Sequence, residues 1–364
     1  MPGNLRPLQR APLLVLGFVG LLLGVTAGLA RMGYRMPDVA STLSAWHGPL
    51  MIGGFFGVVI ALERAVAIGH YWAYGAPLAG GAFTIAIVAG APAPGAWLLV
   101  VASAVLVVAS IDVVRRQPAM FTLTLAVAAA CWLVGNVWWA LGAAVFDVVG
   151  WWLAFLILTI AGERLELSRF MPPSPVARRV FVAIAIVILA GLVAGREAGG
   201  TRLFAAGLFA LAAWLVKQDI ARRTVRKQGL TRFIAVCLLS GYGWLAIGAL
   251  TMLAGGFAPG TRSYDAALHA LALGFVFSMV FGHAPIIVPA VLRVAVPYRR
   301  WFYVPLVLLH ASLAVRLIGD ATGDYGWTRA GGMLNAIALA AFIVGTATAV
   351  LRARAREPAR ADVR

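Results

Sequence analysis

Four of the five histidines in this 364-residue chain lie inside long apolar segments, an unusual place for an ionisable side chain. They are His47, His269, His283 and His310. Ionisable residues within apolar spans are rare and commonly mark functional sites. A neutral imidazole binds metal ions through one ring nitrogen, and two imidazoles on opposite sides can hold a haem iron. These residues therefore predict a haem or metal centre, and the alternative for each is a simple hydrogen bond to a neighbouring helix.

The composition indicates that the segments carrying these histidines cross a membrane. The chain is 62% apolar and 12% charged, with a mean hydropathy of +0.92. A soluble domain carries roughly 25% charged residues. The balance excludes a water-soluble enzyme and a disordered chain. Cys131 and Cys237 lie within apolar runs and form neither a disulfide framework nor a paired metal motif.

Twelve apolar stretches approach the length of about 20 residues that a membrane span needs. They run near 11–30, 43–66, 76–91, 95–114, 119–142, 148–166, 179–195, 202–216, 231–255, 265–289, 301–320 and 329–351. The predicted fold class is therefore an all-α polytopic membrane protein, organised as a single transmembrane domain over residues 1–364. The first stretch also has features of a signal peptide, but its length favours a retained helix.

The distribution of basic residues predicts the orientation of these spans. If the spans alternate, 23 of the 30 lysines and arginines fall on one side, which the positive-inside rule makes the cytoplasmic side. Both termini are then cytoplasmic. The net charge of +17 is explained by membrane orientation. The expected partner is the lipid bilayer, and nucleic acid is not expected.

The depths of the four histidines suggest two pairs. His47 and His269 lie a few residues inside the outer ends of the second and tenth spans, so they predict an outer haem b with two histidine ligands. His283 follows His269 by 14 residues, about 21 Å further along the helix and on the same side. His310 reaches a similar depth and predicts a second haem or metal there. Copper is an alternative for this inner pair, because Met279 lies one turn before His283.

Two sequence stretches resemble known haem-containing membrane proteins. Residues 45–56, AWHGPLMIGGFF, resemble the His-Gly-x-x-Met stretch in helix II of haem–copper oxidase subunit I. They also resemble the Trp-His-Ala-His-Glu-Met stretch of the NnrS family, although Pro49 replaces the second histidine. The run from His269 to Gly274, with the later Gly282-His283, is similar to the His-Ala-Leu-x-x-Gly segment and later Gly-His of NnrS.

The resemblance implies a pseudo-threefold bundle of twelve helices, in which the second, sixth and tenth are equivalent. The sequence similarity between residues 60–64, IALER, and residues 160–164, IAGER, agrees with that symmetry. The sixth and seventh spans lack histidine, so oxygen reduction at a haem–copper centre is not implied. What the resemblance does imply is nitric oxide or denitrification metabolism in a bacterial inner membrane. The partners would be a quinol or redox protein that donates electrons, and a small gaseous ligand such as nitric oxide.

Several other polar residues in the spans have expected partners. Arg316 lies four residues before Asp320 at an outer helix end. The resemblance implies that Arg316 binds a haem propionate, and the alternative is an ion pair with Asp320. Asp112 is expected to extend toward the membrane interface or to pair with Arg116. Two further side chains, Asn136 and Tyr242, are expected to hydrogen-bond between helices.

Two other function classes remain open from the sequence, and it does not decide whether the chain is an enzyme. Twelve spans also suit a secondary transporter, although transporters usually show repeated halves and broken midplane helices. A haem-free membrane sensor or assembly factor could use the same scaffold.

Overall fold

A computed structural model of the chain describes residues 4–167, 173–195 and 197–356, and these ranges are helical with no strand. Twelve of the helices are long and apolar enough to cross a membrane. This confirms the predicted fold class, an all-α polytopic membrane protein. Contacts group the chain into two compact units, Met1–Pro172 and Pro173–Arg364, each with six of these helices. Helix ends are called outer or inner here according to the orientation predicted from the basic residues.

The first unit is built from six helices, and each packs against the next along the chain. They are α1 Pro7–Arg31, α2 Ser44–Ile68, α3 Tyr71–Val88, α4 Pro92–Arg116, α5 Met120–Ala140 and α6 Val145–Leu167. Proline begins α1 and α4, where the missing N–H has no helical partner to lose. Gly69 adopts a φ of 73° and ends α2, which allows a very short connection to α3.

A buried amide joins three helices of this unit. Asn136 of α5 donates through Nδ2 to the carbonyl oxygen of Leu99 in α4 at 3.1 Å. Its Oδ1 accepts from Nε1 of Trp152 in α6 at 2.9 Å. Asn136 is fully buried, so both bonds replace hydration that an apolar environment cannot supply. The expected interhelical role of Asn136 is confirmed, as is the expected ion pair of Asp112 with Arg116, at 2.7 Å.

The second unit contains the remaining six helices, and here too consecutive helices pack together. They are α7 Pro175–Val193, α8 Gly199–Gln218, α9 Gly229–Gly255, α10 Arg262–Leu292, α11 Arg300–Thr322 and α12 Tyr325–Ala353. The hydroxyl of Tyr242 in α9 donates to Oδ2 of Asp219, the residue that follows α8, at 2.5 Å. This bond confirms the expected interhelical role of Tyr242.

The third helix differs most from its expected position. It spans Tyr71–Val88 and begins with a 3₁₀ turn, Tyr71–Tyr74, whereas the sequence predicted 76–91. Aromatic residues and prolines around its start weaken the apolar pattern there. The other eleven helices overlap the predicted spans, usually extending by a few residues at the ends. The pseudo-threefold equivalence of α2, α6 and α10 stays a prediction.

Candidate functional site

His47 lies in the outer part of α2, where its ring packs against α1. Its Nδ1 lies 2.6 Å from the carbonyl oxygen of Gly24, a residue of the other helix. A carbonyl oxygen can only accept a hydrogen bond, so Nδ1 carries the proton in this arrangement. Nε2 is then the unprotonated nitrogen of the neutral ring. Histidines that bind a metal through Nε2 are commonly oriented by such a bond from Nδ1–H to a carbonyl.

A stripe of glycines on α1 makes room for α2 and for the ring of His47. The stripe comprises Gly17, Gly20, Gly24 and Gly28. A Cβ on Gly20 would lie 2.8 Å from the backbone of Gly54 in α2. A Cβ on Gly28 would lie 2.8 Å from both Nδ1 and Cε1 of His47. Small residues in membrane helices allow this close approach of backbones. The stripe therefore fixes where the imidazole can lie.

His269, in the outer part of α10, has its Nδ1 beside two oxygens of the same residue. Nδ1 lies 2.8 Å from the carbonyl oxygen of Asp265 and 3.3 Å from its carboxylate Oδ1. The carbonyl oxygen accepts the hydrogen bond and the carboxylate adds an electrostatic contact, so His269 has the same protonated Nδ1 and unprotonated Nε2 as His47. The carbonyl belongs to the preceding turn of α10, a partner that any helical histidine can reach. The carboxylate is the additional feature at this position.

Arg316 of α11 binds Asp265, a partner that the sequence analysis did not consider. Its Nε donates to Oδ2 and its Nη2 donates to Oδ1, each at 2.9 Å. This bidentate geometry is the strongest that arginine and a carboxylate form. Asp320, the partner expected as an alternative to a propionate, accepts from the hydroxyl of Thr328 in α12 at 3.0 Å and also interacts electrostatically with Arg316. The structure thus brings Arg316 to His269 through Asp265.

A π-helical segment of eight residues follows each of His47 and His269. Leu50–Gly57 interrupts α2 and begins three residues after His47. Ala270–Phe277 interrupts α10 and begins directly after His269. Within the part of the chain that the structure describes, these are the two π-helical segments. Such segments are rare and frequently occur at functional sites.

His283 also carries its proton on Nδ1, which lies 2.7 Å from the carbonyl oxygen of Met279. The π-helical segment of α10 lies between His269 and His283. An extra residue in one turn rotates the rest of a helix by about 100° relative to an uninterrupted helix. The spacing of 14 residues therefore no longer predicts that these two histidines share a face.

His310 has the opposite arrangement at its ring nitrogens. Its Nδ1 accepts a hydrogen bond from Nε1 of Trp244 in α9 at 2.8 Å. In a neutral ring the proton is then on Nε2, and that nitrogen cannot bind a metal without a change of tautomer. The indole of Trp244 lies almost parallel to the imidazole and fits against Gly274, where a Cβ would clash with it. The proton of a neutral His310 is therefore on Nε2, a buried atom with no hydrogen-bond partner among the described residues, and this tautomer does not suit a metal ligand.

The donor set as a whole fits haem better than a metal ion bound by several side chains. In the described ranges, no group of three or more histidine, cysteine, aspartate and glutamate side chains could hold a metal ion. Haem needs only one or two axial imidazoles, with Nε2 unprotonated and an apolar surround. Among the predicted histidines, His47, His269 and His283 have that protonation state, and His310 does not.

Sequence reasoning missed three features of these sites. Asp265 lies four residues before His269, so a helical i to i+4 contact was visible in the sequence. The spacing of three and four residues in the glycine stripe of α1 was also a visible signal for close helix packing. The π-helical segments had no comparable signal, because their residues have the same apolar composition as their surroundings.

Comparisons with known proteins identify a family but not an activity. A search of curated proteins gives no match to this sequence. A family model described as "Domain of unknown function (DUF8744)" matches residues 10–351, which include all four histidines of the apolar segments and Arg316. The chain therefore belongs to the DUF8744 family of domains of unknown function.

Proposed function

We propose that this protein is a haem-binding integral membrane redox protein and that His47 and His269 would bind haem b through Nε2. One repeated observation carries the proposal. Each of these two histidines has its Nδ1 held by a carbonyl oxygen and is followed by an eight-residue π-helical segment. This combination occurs once in each unit of the protein.

The protein's own residues would bind and orient the haem, which supplies one-electron redox chemistry when bound. His47 and His269 would provide Nε2, while Gly24 and Asp265 fix the rings through Nδ1. A haem held by histidine in this way would serve electron transfer. A quinol or a redox protein is the class of donor that such a carrier requires.

The physiological setting in this proposal comes from the resemblance to NnrS. It is nitric oxide or denitrification metabolism in a bacterial inner membrane. Nitric oxide is then the gaseous ligand to test, and its binding to iron would require displacement of one histidine. The twelve apolar helices support the coarser statement, a multi-pass membrane protein.

We propose one haem per chain rather than two. The second site predicted from the sequence needs His283 and His310 as a pair. The bond from Trp244 to His310 opposes that pairing, because it places the proton of His310 on Nε2. The same bond argues against copper at this position, since copper would need the same nitrogen.

A secondary transporter is the second candidate, and one observation favours it. Contacts divide the chain into two units of six membrane-spanning helices. Transporters are commonly built from two such halves, with helices interrupted near the midplane. The π-helical segments of α2 and α10 are interruptions of this general kind.

The experiment that separates the two candidates is optical spectroscopy of the purified protein with histidine variants. Under our proposal, the dithionite-reduced minus oxidised spectrum shows haem b, and His47→Ala and His269→Ala each abolish it. His70→Ala is the matched control, because His70 is exposed in the connection after α2. A colourless wild-type protein from haem-replete cells would refute the proposal and leave the transporter as the leading candidate.

A further inference from the structure

We propose that Asp265, held in place by Arg316, is a positioning residue that increases the electron donation of His269 to the haem iron. This inference rests on the proposed function. It assigns the haem a lower reduction potential than two histidines held only by carbonyl oxygens would give.

The first step is the contact between the carboxylate and the imidazole. Oδ1 of Asp265 lies 3.3 Å from Nδ1 of His269, in addition to the carbonyl contact at 2.8 Å. At His47, Nδ1 lies 2.6 Å from the carbonyl oxygen of Gly24. An ionised carboxylate attracts the ring proton more strongly than a neutral carbonyl does. The imidazole of His269 therefore gains anionic character.

The second step is the rigidity of the carboxylate. Arg316 binds both oxygens of Asp265 and is itself only 8% exposed at its side chain. The backbone of Arg316 packs against Gly331 of α12, where a Cβ would lie 2.6 Å from the Arg316 nitrogen. Close packing thus restricts the backbone of Arg316 from which the guanidinium extends. The bidentate bond of Arg316 then restricts the carboxylate of Asp265.

A third residue completes the cluster on its other side. Asp320 is 6% exposed and lies beside Asp265, while its Oδ1 accepts from the hydroxyl of Thr328 at 3.0 Å. Asp320 interacts with Asp265, Thr328 and Arg316, and its closest partners do not include His269. Asp320 is therefore a suitable comparison for Asp265: it is a carboxyl group at a similar depth, but it does not contact Nδ1 of His269.

The fourth step connects this geometry to a measurable property. A carboxylate behind a metal-binding histidine fixes its tautomer and raises its basicity as a ligand. A more basic ligand favours oxidised iron over reduced iron. Removing a partner that orients a metal-binding histidine changes metal affinity by roughly 10–100-fold. A tenfold change in the relative affinity for the two oxidation states corresponds to about 59 mV for one electron.

The test is a potentiometric titration of the haem in the full-length protein with Asp265→Asn. The variant keeps the carbonyl contact of His269 but removes the negative charge, so the reduction potential should rise by about 59 mV or more. Asp320→Asn is the matched control and should shift the potential by much less. Asp265→Glu should restore part of the wild-type value. If Asp265 had only a structural role, the haem reduction potentials of Asp265→Asn and Asp320→Asn would not differ in this way.

The outcomes distinguish this inference from the function on which it rests. Absence of haem from the wild-type protein would overturn both. A wild-type haem whose potential is unchanged in Asp265→Asn, or changed equally in Asp320→Asn, would overturn only the role of Asp265. If Asp265→Asn loses haem during purification, haem titration gives the second readout. Binding about 10–100-fold weaker than in Asp320→Asn supports the inference, and equal binding refutes it.

Discussion

Gly28→Ala should weaken haem binding by displacing His47, although the substituted residue is on another helix. The new Cβ would lie 2.8 Å from two atoms of the imidazole, about 0.7 Å closer than favourable carbon contacts allow. A ring displacement of that size lengthens the 2.6 Å contact of Nδ1 with Gly24 to about 3.3 Å, beyond the usual range. Loss of an orienting bond lowers affinity about 10–100-fold, or about 1.4–2.7 kcal/mol.

Haem titration of the purified variant, followed by its absorption spectrum, measures this effect. Folding should be preserved, because alanine is about 1 kcal/mol more favourable than glycine in a helix and offsets part of the strain. Gly48→Ala is the matched control next to His47, since its Cβ would meet only Val145 Cγ1, at 3.8 Å. Wild-type haem affinity in Gly28→Ala would refute the role assigned to the glycine stripe.

Two further substitutions test the packing of each unit. Gly274→Ala places a Cβ against the indole of Trp244 and should cost about 1–3 kcal/mol of stability, measured by thermal unfolding in detergent. Gly243→Ala meets no atom within 4 Å and should be neutral or stabilising; equal melting temperatures for the two variants would contradict this account. Asn136→Leu leaves Nε1 of Trp152 without its acceptor and should cost about 1–2 kcal/mol in the same assay, with haem content per folded protein unchanged. An unchanged melting temperature for that variant would show that the amide is not structurally important.

The membrane-spanning architecture could be predicted from the sequence because hydropathy and length alone define a span. All twelve helices follow from the apolar runs. The expectation that Asn136 bonds between helices was also correct. The start of α3 could not be placed, because the 3₁₀ turn at Tyr71–Tyr74 leaves no distinct hydropathy signal.

The candidate site was predictable in residue type but not in local geometry. The types and depths of His47 and His269 made them the proposed ligands from the sequence alone, and that role stays a prediction. The partner of Arg316 depends on the rotation of α10 relative to α11, which periodicity does not give. For the same reason, the expectation that His283 and His310 form a second site could not include the bond from Trp244.

The haem-to-protein ratio of the purified wild-type chain tests the central claim most directly. Pyridine haemochrome analysis gives the haem type and amount, and quantitative amino-acid analysis gives the amount of protein. Our account predicts haem b at about one per chain, because two of the histidines are proposed as its axial ligands. A ratio near zero in protein from haem-replete cells would contradict the proposed function, and a ratio near two would contradict the exclusion of His310.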